Sequence, residues 1–563
     1  MKLSFEAGPP PVGDRPPLRL LILADLHAGA PVQGPTLLRD PTDFGKLLRD
    51  LAPHLVLDAE NHGGGPSATL RHEARIQSLD DLDPQRMLLQ RPELEPARRL
   101  LQALEQMPAD LDGVLDSILA RAPGLGPEVD LCRPATPGAV VSTAAAPAPR
   151  TNEPVGRLAD LVDLSPSDEE RAQRAVSAIG HIVGAVGSRR QKPKTPIPSG
   201  VRQAMDLLTA RLARQRAALQ QHPALQAVEA AWRGLKLLVD RTDFRRGVEM
   251  WVMSMARPAV GDALVEQLMQ ELRADLVLAP WMLDSPTNDG ELVQWLGQQA
   301  EATQTPALLS LDAAFFGVEA SEAAAMRYPG NLFEQPQYIK WNSVRDKPCA
   351  RWLGAAFNRF LLRSAAGDEP RETVEPSELL WGDPVWLVAS LVSRSFQRCG
   401  WPTNFTGSHE GRLDDLPIHP VRAPVSGRRI QIPLEALLPH ELVNDLAYCG
   451  VTAVAGREDT DAGFVLHAPT LFRAPGSVQR IQVSLGYQML ASRIARVLAD
   501  LKPTPGPDGV PRLQRALEAL VEGSGSGSSI SVEPAAGGRV AIQVRTGTGV
   551  LGGVAVDLEL QLD

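Results

Sequence analysis

Asp25 and His27 are the residues whose types and spacing come closest to an enzyme motif in this chain. They follow an apolar run, residues 18–24, that predicts a buried strand, and an Asp-x-His pair at a strand end can ligate one metal ion of a two-metal phosphoesterase site. Asn61 and His62 resemble a further ligand pair of such enzymes. The bridging carboxylate of a two-metal site has no counterpart after His27. We therefore expect His27 to be a turn residue. A metal-dependent phosphoesterase that uses Asp25 and His27 is the alternative hypothesis from another functional class.

The remaining motifs also favour loops over catalysis. The run 547–552 fits G-x-G-x-x-G, but a dinucleotide site needs a helix next, and here a strand pattern follows, which predicts a hairpin turn. Ser408 lacks the G-x-S-x-G elbow, and His409 with Glu410 lacks the H-E-x-x-H spacing. We predict no catalytic, cofactor-binding or metal-binding residue, and no enzyme.

The composition indicates folded domains, and it does not indicate a highly charged partner such as a nucleic acid. The chain has 563 residues, 44% of them hydrophobic, and a formal net charge of −10 with both signs dispersed. A nucleic-acid partner is not expected from this charge, and no apolar run approaches the roughly 20 residues of a membrane span. We expect a cytoplasmic protein without direct membrane insertion. The cysteines are far apart, without metal-ligand spacing, and predict plain thiols: Cys132, Cys349, Cys399 and Cys449.

Residues 222–244 contain the clearest helical pattern. One apolar face is predicted to point to a core, and it comprises Leu225, Val228, Trp232, Leu235 and Val239. The polar face is predicted to stay in solvent, and it comprises Gln226, Glu229, Arg233 and Lys236.

Strand and helix patterns alternate elsewhere. Strands are predicted at residues 2–6, 18–24, 55–59, 75–78, 248–255, 540–544 and 554–562. Helices are predicted across residues 84–119, 167–186 and 201–221. Such a mixture indicates an α/β or mixed α+β class.

Several short motifs beyond these periodicities resemble one family, in the same order along the chain. They are HPALQAVEAAWRGLKLLVDRTDF (222–244), FFG (315–317), QYIKW (337–341), RWLG (351–354), the helix-like RFLLR (359–363), WG (381–382), RCGW (398–401) and DLPIH (415–419). From about residue 158 to the C-terminus, the chain resembles the large sheath subunit of the bacterial type VI secretion system.

The first 130 or so residues resemble the small sheath subunit of the same system. The resemblance lies in LRLLILADLHAG (18–29) and in RIQSLDDLDPQRMLLQRPELEPARRLLQALE (75–105). These subunits are normally separate polypeptides, so the chain is interpreted as their fusion. The predicted regions are a small-subunit-like domain (1–121), a Pro/Ala-rich linker (122–157), a helical region (158–246), an α/β core (247–522) and C-terminal strands (523–563).

The resemblance implies a contractile, phage-tail-like sheath fold with strand-exchanging terminal arms. In the family, extended terminal strands complete a sheet in neighbouring subunits by β-augmentation. The candidate arm residues in this chain are Leu3, Phe5, Val540, Ile542, Val554, Val556 and Leu558.

The family also implies a segment recognised by a Clp-type unfoldase ATPase that disassembles contracted sheaths. The corresponding residues here are Leu158, Leu161 and Leu164. The Gln-Thr that follows this segment in the family is replaced by Asp163-Leu164-Ser165. Docking of the segment on the subunit's own core remains an open alternative.

The function implied is that of a structural sheath subunit, which polymerises around an inner tube and contracts to propel it. The implied partners are further copies of this chain, the inner tube protein, the baseplate and the unfoldase. A non-contractile tube or adaptor derived from a sheath is the alternative within the same class.

Overall fold

A computed structural model describes residues 15–28, 34–63, 67–89, 91–107, 110–133, 198–364, 376–423, 427–475, 480–501, 509–521, 527–535, 539–547 and 555–561. Several predictions lie outside these residues: the strand 2–6, the helix 167–186, and the candidates Leu3, Phe5, Leu158, Leu161, Leu164 and Val554.

The strands are β1 (Leu18–Ala24), β2 (Thr36–Leu38), β3 (His54–Glu60), β4 (Thr69–Arg75), β5 (Val248–Ser254), β6 (Leu276–Leu283), β7 (Ala307–Leu311), β8 (Leu353–Phe357), β9 (Phe360–Arg363), β10 (Leu380–Gly382), β11 (Arg412–Leu413), β12 (His419–Arg422), β13 (Arg429–Ile432), β14 (Val451–Ala455), β15 (Gly463–Val465), β16 (Ser529–Ala535), β17 (Arg539–Arg545) and β18 (Ala555–Gln561).

The helices are α1 (Pro41–Leu51), α2 (Pro84–Leu89), α3 (Glu95–Gln106), α4 (Leu111–Arg121), α5 (Gly126–Cys132), α6 (Ser199–Gln220), α7 (Pro223–Asp240), α8 (Ala263–Leu272), α9 (Gly290–Thr303), α10 (Pro329–Phe333), α11 (Ile339–Arg345), α12 (Pro384–Cys399), α13 (His440–Tyr448), α14 (Leu485–Leu501) and α15 (Gly509–Val521). Among the helices described, none has the length and apolarity to cross a membrane.

A mixed sheet of nine strands forms the centre of the first of two compact units, residues 1–59, 70–90 and 216–563. Its order is β11-β15-β14-β8-β7-β6-β1-β5-β2, with parallel pairs from β14 to β5 and antiparallel pairs at both ends. The predicted mixed α/β class is confirmed. The strand β1, from the region predicted to resemble the small subunit, pairs with β5 on one side and β6 on the other. Its Leu20 and Leu21 are fully buried, as expected for a parallel strand covered on both faces.

The helix α7 confirms the predicted apolar face. His222 caps its first turn by accepting from the Ala224 amide at 3.3 Å, and Pro223 occupies the first helical position, where its missing N–H costs nothing. Trp232 is fully buried and donates from Nε1 to the Leu26 carbonyl oxygen at 3.0 Å. This bond ties α7 to the chain just beyond β1.

Glu229 was wrongly predicted to lie in solvent, since only 1% of it is exposed. Its Oε1 accepts from Arg233 Nε at 2.8 Å and from Arg363 Nε at 2.9 Å, and its Oε2 accepts from Arg363 Nη2 at 3.2 Å. Because β9 carries Arg363, the pair joins α7 to that strand. Periodicity along one helix contains no information about such a distant partner.

The helix suggested by the run 359–363 is also wrong, because Phe360–Arg363 form the strand β9. The preceding Asn358 has a φ of 78° and donates from Nδ2 to the carbonyl oxygens of Ala436 and Val454, each at 2.8 Å. The chain then bonds to its neighbours, with the Leu361 amide donating to the Pro433 carbonyl oxygen at 2.7 Å. Tertiary pairing thus overrides the local pattern.

The predicted strand 75–78 is displaced. The strand β4 ends at Arg75, and Ser78 begins a short 3-10 turn in which Asp81 Oδ2 accepts from the Gln77 and Ser78 amides at 3.0 and 2.8 Å. These side-chain bonds replace the ladder bonds of a strand.

The second compact unit comprises residues 60–69 and 91–215. Its apolar core is formed by α3, α4, α5 and the first turns of α6, including Leu100, Leu104, Leu115 and Leu208. Gly200 lies against α5, because a Cβ there would be 2.2 Å from the Leu131 carbonyl oxygen. The described segment that ends at residue 133 and the one that begins at residue 198 therefore contact each other.

Candidate interaction site at the roots of the terminal segments

Asp25 and His27 lie in a turn after β1. The His27 amide donates to Asp25 Oδ1 at 3.2 Å, and Nε2 of His27 lies 2.6 Å from the Leu51 carbonyl oxygen. A carbonyl oxygen only accepts, so Nε2 carries the proton and has no lone pair for a metal. His27 thus lies in a turn with Nε2 bonded to the backbone, and its lone pair is on Nδ1.

Asn61 and His62 are also engaged in local structure within the second unit. Asn61 Nδ2 donates to the Ser67 carbonyl oxygen at 2.7 Å, and the His62 amide donates to Gln215 Oε1 at 2.7 Å. Within the described ranges, no group of three or more His, Cys, Asp or Glu side chains could hold a metal ion.

The C-terminal strands form a separate antiparallel sheet, in the order β16-β17-β18. Val540 and Ile542 lie in the middle strand, where the backbone pairs with both neighbours, and Ile542 is fully buried. Val556 and Leu558 lie in β18, which is an edge strand of this sheet. As predicted, a strand and not a helix follows the glycine-rich run 547–552.

A buried cluster of charges lies where the chain enters β1. Arg493 and Asp275 are fully buried, and Arg496 is 3% exposed. Asp275 Oδ2 lies 3.3 Å from Arg493 Nη1 and 3.2 Å from Arg496 Nη2, and it accepts from the Arg19 amide at 2.8 Å. Two guanidinium groups thus share one carboxylate, and the cluster keeps an excess positive charge.

The carbonyl oxygens of Pro16 and Pro17 accept three further hydrogen bonds from the two arginines. Arg496 Nη2 donates to the Pro17 carbonyl at 2.6 Å and Arg493 Nη1 to the same oxygen at 3.2 Å, while Arg493 Nη2 donates to Pro16. Proline has no N–H, so the carbonyl is the only backbone group through which these two residues can be held.

Burial lowers the pKa of Arg493 to about 9, and Asp275 opposes this shift. The guanidinium stays charged at neutral pH. Its hydrogen bonds to backbone carbonyls are therefore charge-assisted, a class that is stronger than bonds between neutral groups.

Arg15 connects this place to the C-terminal part of the chain. Its Nη2 donates to the Leu520 carbonyl oxygen at 3.0 Å, and its guanidinium lies 5.7 Å from the centre of the Phe396 ring. Gly400, which ends α12 with a φ of 72°, leaves the space for Arg15, because a Cβ there would be 1.6 Å from the guanidinium carbon. Glycine in RCGW thus serves both the helix end and this close approach.

We call residues 15–17 the N-terminal root and residues 518–521, the last turn of α15, the C-terminal root. The helix α14 contacts both. Arg493 and Arg496 hold the N-terminal root, while Leu490, Ile494, Val497 and Leu498 share a core with Leu513, Leu517 and Leu520 of α15 and with Ile530, Ile542 and Val544 of the C-terminal sheet. The sequence reasoning missed this site. Two arginines three positions apart within an otherwise apolar helix were the available signal.

Comparison with known proteins shows a similarity to tail sheath proteins. The tail sheath family model VipB, described as EvpB/VC_A0108, tail sheath N-terminal domain, matches residues 202–275 and 273–471. The type VI secretion system sheath protein TssC1 of Pseudomonas aeruginosa is 20% identical over 356 residues, which are 57% of this chain and 72% of that protein.

Two solved structures are remotely similar. A chain of the anti-feeding prophage baseplate has a TM-score of 0.33 at 12% identity, with 56% of this chain and 76% of that chain covered. A chain of the contracted helical sheath of the same particle has a TM-score of 0.28 at 13% identity, with 58% and 77% covered. The family-model match covers residues 222–419, in which the large-subunit motifs were found. Residues 202–471 of the chain are therefore similar to the VipB family of tail sheath proteins.

Proposed function

We propose that this chain is a structural subunit of a contractile sheath, which polymerises around an inner tube and contracts to propel it. The observation that supports this most directly is the tail sheath match over residues 202–471. The inner tube protein and the baseplate are its proposed partners, together with further copies of the chain.

We further propose that residues 1–121 supply the small sheath subunit. The position of β1 between β5 and β6 supports this proposal, because a central strand belongs to the core of the protomer. A chain that carries both parts fixes them at equal number, so that no separate small subunit is required.

The proposed inter-subunit arms are residues 1–7, with Leu3 and Phe5, and the C-terminal strands, with Val554, Val556 and Leu558. The sheet β16-β17-β18 supports this proposal, since β18 is an edge with unpaired backbone groups on its outer side within the described chain. An extended strand from another copy could add to such an edge by main-chain hydrogen bonds.

Deletion of residues 1–7 tests the arm proposal. We expect a folded, cooperatively unfolding subunit whose polymers sediment much less than those of the intact chain. A matched control replaces Leu3 and Phe5 by Val, which keeps strand propensity and should keep assembly. If the deletion unfolds the subunit, the segment belongs to its own core and the arm proposal fails.

The segment with Leu158, Leu161 and Leu164 is the proposed contact for a Clp-type unfoldase. A short segment that is apolar on one side is suited to binding in a groove. Replacement of the three leucines by serine should abolish unfoldase binding without affecting assembly. Unchanged binding would exclude this segment as the contact.

A further inference from the structure

The helix α14 holds both terminal roots, and it does so with two adjacent faces. Arg493 and Arg496 bond to the carbonyl oxygens of Pro16 and Pro17. On the adjacent face, one residue further along, Ile494 and Val497 contact the core shared with α15 and β17. Residues three and four apart lie on the same side of a helix, so each face is a continuous stripe.

Arg15 closes the arrangement by joining the two roots directly. Its bond to the Leu520 carbonyl oxygen spans 505 residues of sequence. The chain continues from the N-terminal root towards residues 1–14 and from the C-terminal root towards β16. Both proposed arms are therefore joined in sequence to segments that α14 contacts.

We propose that α14, with Arg15, Asp275, Arg493 and Arg496, is a mechanical coupler that makes the roots of the two arms move together. The consequence of this inference for a polymer rests on the proposed sheath function. Its physical basis rests only on contacts within one subunit. In the subunit, loosening one root loosens the other. In a contracting polymer, a displacement transmitted through one arm reaches the other arm of the same protomer without first deforming the large sheet.

The energetics indicate that the cluster fixes geometry more than it adds stability. Burying two guanidinium groups against one carboxylate carries a large desolvation cost, and apolar side chains of similar volume often replace such clusters with no loss of stability. What apolar side chains cannot do is bond to the carbonyl oxygens of Pro16 and Pro17. The cluster thus determines where the N-terminal segment leaves the body.

Two variants separate coupling from folding. The triple variant Asp275→Asn, Arg493→Met and Arg496→Met removes both signs of charge and leaves an acceptor for the Arg19 amide. The single variant Arg15→Gln removes the bond to Leu520 and leaves the cluster intact. A matched control, Asp346→Asn with Arg473→Met, removes the same kinds of side chain from a half-exposed pair with side-chain exposures of 51% and 53%.

Amide hydrogen exchange of the unassembled protein is the first measurement. In both test variants we expect exchange to be about ten-fold faster at Leu18 and Arg19 and also in the last turn of α15, since losing a net hydrogen bond changes an equilibrium by about this factor. The strand β14 serves as the internal reference and should be unchanged, as should the control variant. Faster exchange at only one root, or at neither, in the Arg15→Gln protein would overturn the coupling.

Contraction of the polymers is the second measurement. Tubes of the triple variant should assemble, and a several-fold smaller fraction of them should contract than for the intact chain. Contraction equal to that of the intact chain, together with faster exchange at both roots, would overturn the role in the polymer. Absence of tubes from the intact chain would refute the proposed function instead, and the exchange measurement would still decide the coupling.

Discussion

Gly234 of α7 lies directly against the indole ring of Trp386 of α12, because a Cβ at Gly234 would be 2.3 Å from Trp386 Cδ1. Trp386 is 1% exposed, so its ring is enclosed by the core. The glycine in the family-like run WRGL thus permits two helices to cross at close range.

Gly234→Ala should therefore destabilise the first unit by about 1–3 kcal/mol, the usual range for overpacking in a core. Chemical denaturation of the unassembled protein measures it. Gly330→Ala is the matched control, since a Cβ at Gly330 has nothing within 4 Å and alanine favours a helix. Equal stability of the two variants would show that α7 and α12 can separate without cost.

Replacement of Glu229 by alanine should also destabilise the subunit. The change leaves the guanidinium groups of Arg233 and Arg363 without their shared carboxylate, at a cost of about 3 kcal/mol. The exposed pair of Glu291 and Lys340, with side-chain exposures of 75% and 56%, is the control. Glu291→Ala should give no measurable change in the free energy of unfolding. If Glu229→Ala is equally neutral, the pair with Arg363 does not hold β9 to α7.

Asp383 is expected to make the free energy of unfolding depend on pH. It caps α12 by accepting from the Val385 amide at 2.9 Å and also accepts from the Ser310 hydroxyl. Burial raises the pKa of Asp383 from 3.8 to about 6. The folded state therefore binds this proton more tightly than the unfolded state, and the free energy of unfolding falls as pH rises from about 4 to 6, by up to about 3 kcal/mol.

Asp383→Asn keeps a capping acceptor and removes the titration. Its stability relative to the intact chain should therefore rise between pH 4 and 6 and stay constant above that range. Denaturation at pH 4, 5, 6 and 7 measures the difference. A difference that does not change with pH would show that Asp383 does not titrate in this range.

The packing of Gly200 on the Leu131 carbonyl oxygen bears on residues 134–197. Because the flanking residues meet there, replacing 134–197 by a short Gly/Ser linker should leave a protein that unfolds cooperatively, with a melting temperature near that of the intact chain. The same variant should lose unfoldase binding. A protein that no longer folds would show that 134–197 contribute to the core.

Gly200→Ala should separate α5 from α6 and lower the melting temperature.

Local sequence patterns predicted the helices and strands better than they predicted which of these elements pair with each other. The apolar face of α7 follows from a period of 3.6, β18 from a period of 2 and β1 from a continuous apolar run, because these signals depend only on neighbouring residues. The position of β1 between β5 and β6 depends on pairing across more than 200 residues, which no local pattern contains.

Buried charges were the main source of error at the site. Glu229 was placed in solvent because glutamate is rarely buried unless it is paired, and its partner Arg363 lies 134 residues away. The buried site of Arg493 and Arg496 was not predicted for the same reason, since their acceptors are backbone carbonyls near the other end of the chain.

If one chain carries both the small- and the large-subunit parts of the proposed sheath, it should assemble without a second sheath protein. Negative-stain imaging of the purified chain, expressed without any other component of the system, tests it most directly. We expect long hollow tubes, because each chain of the proposed protomer carries both parts of the sheath. A protein that stays monomeric at high concentration, without tubes or rings, would contradict it.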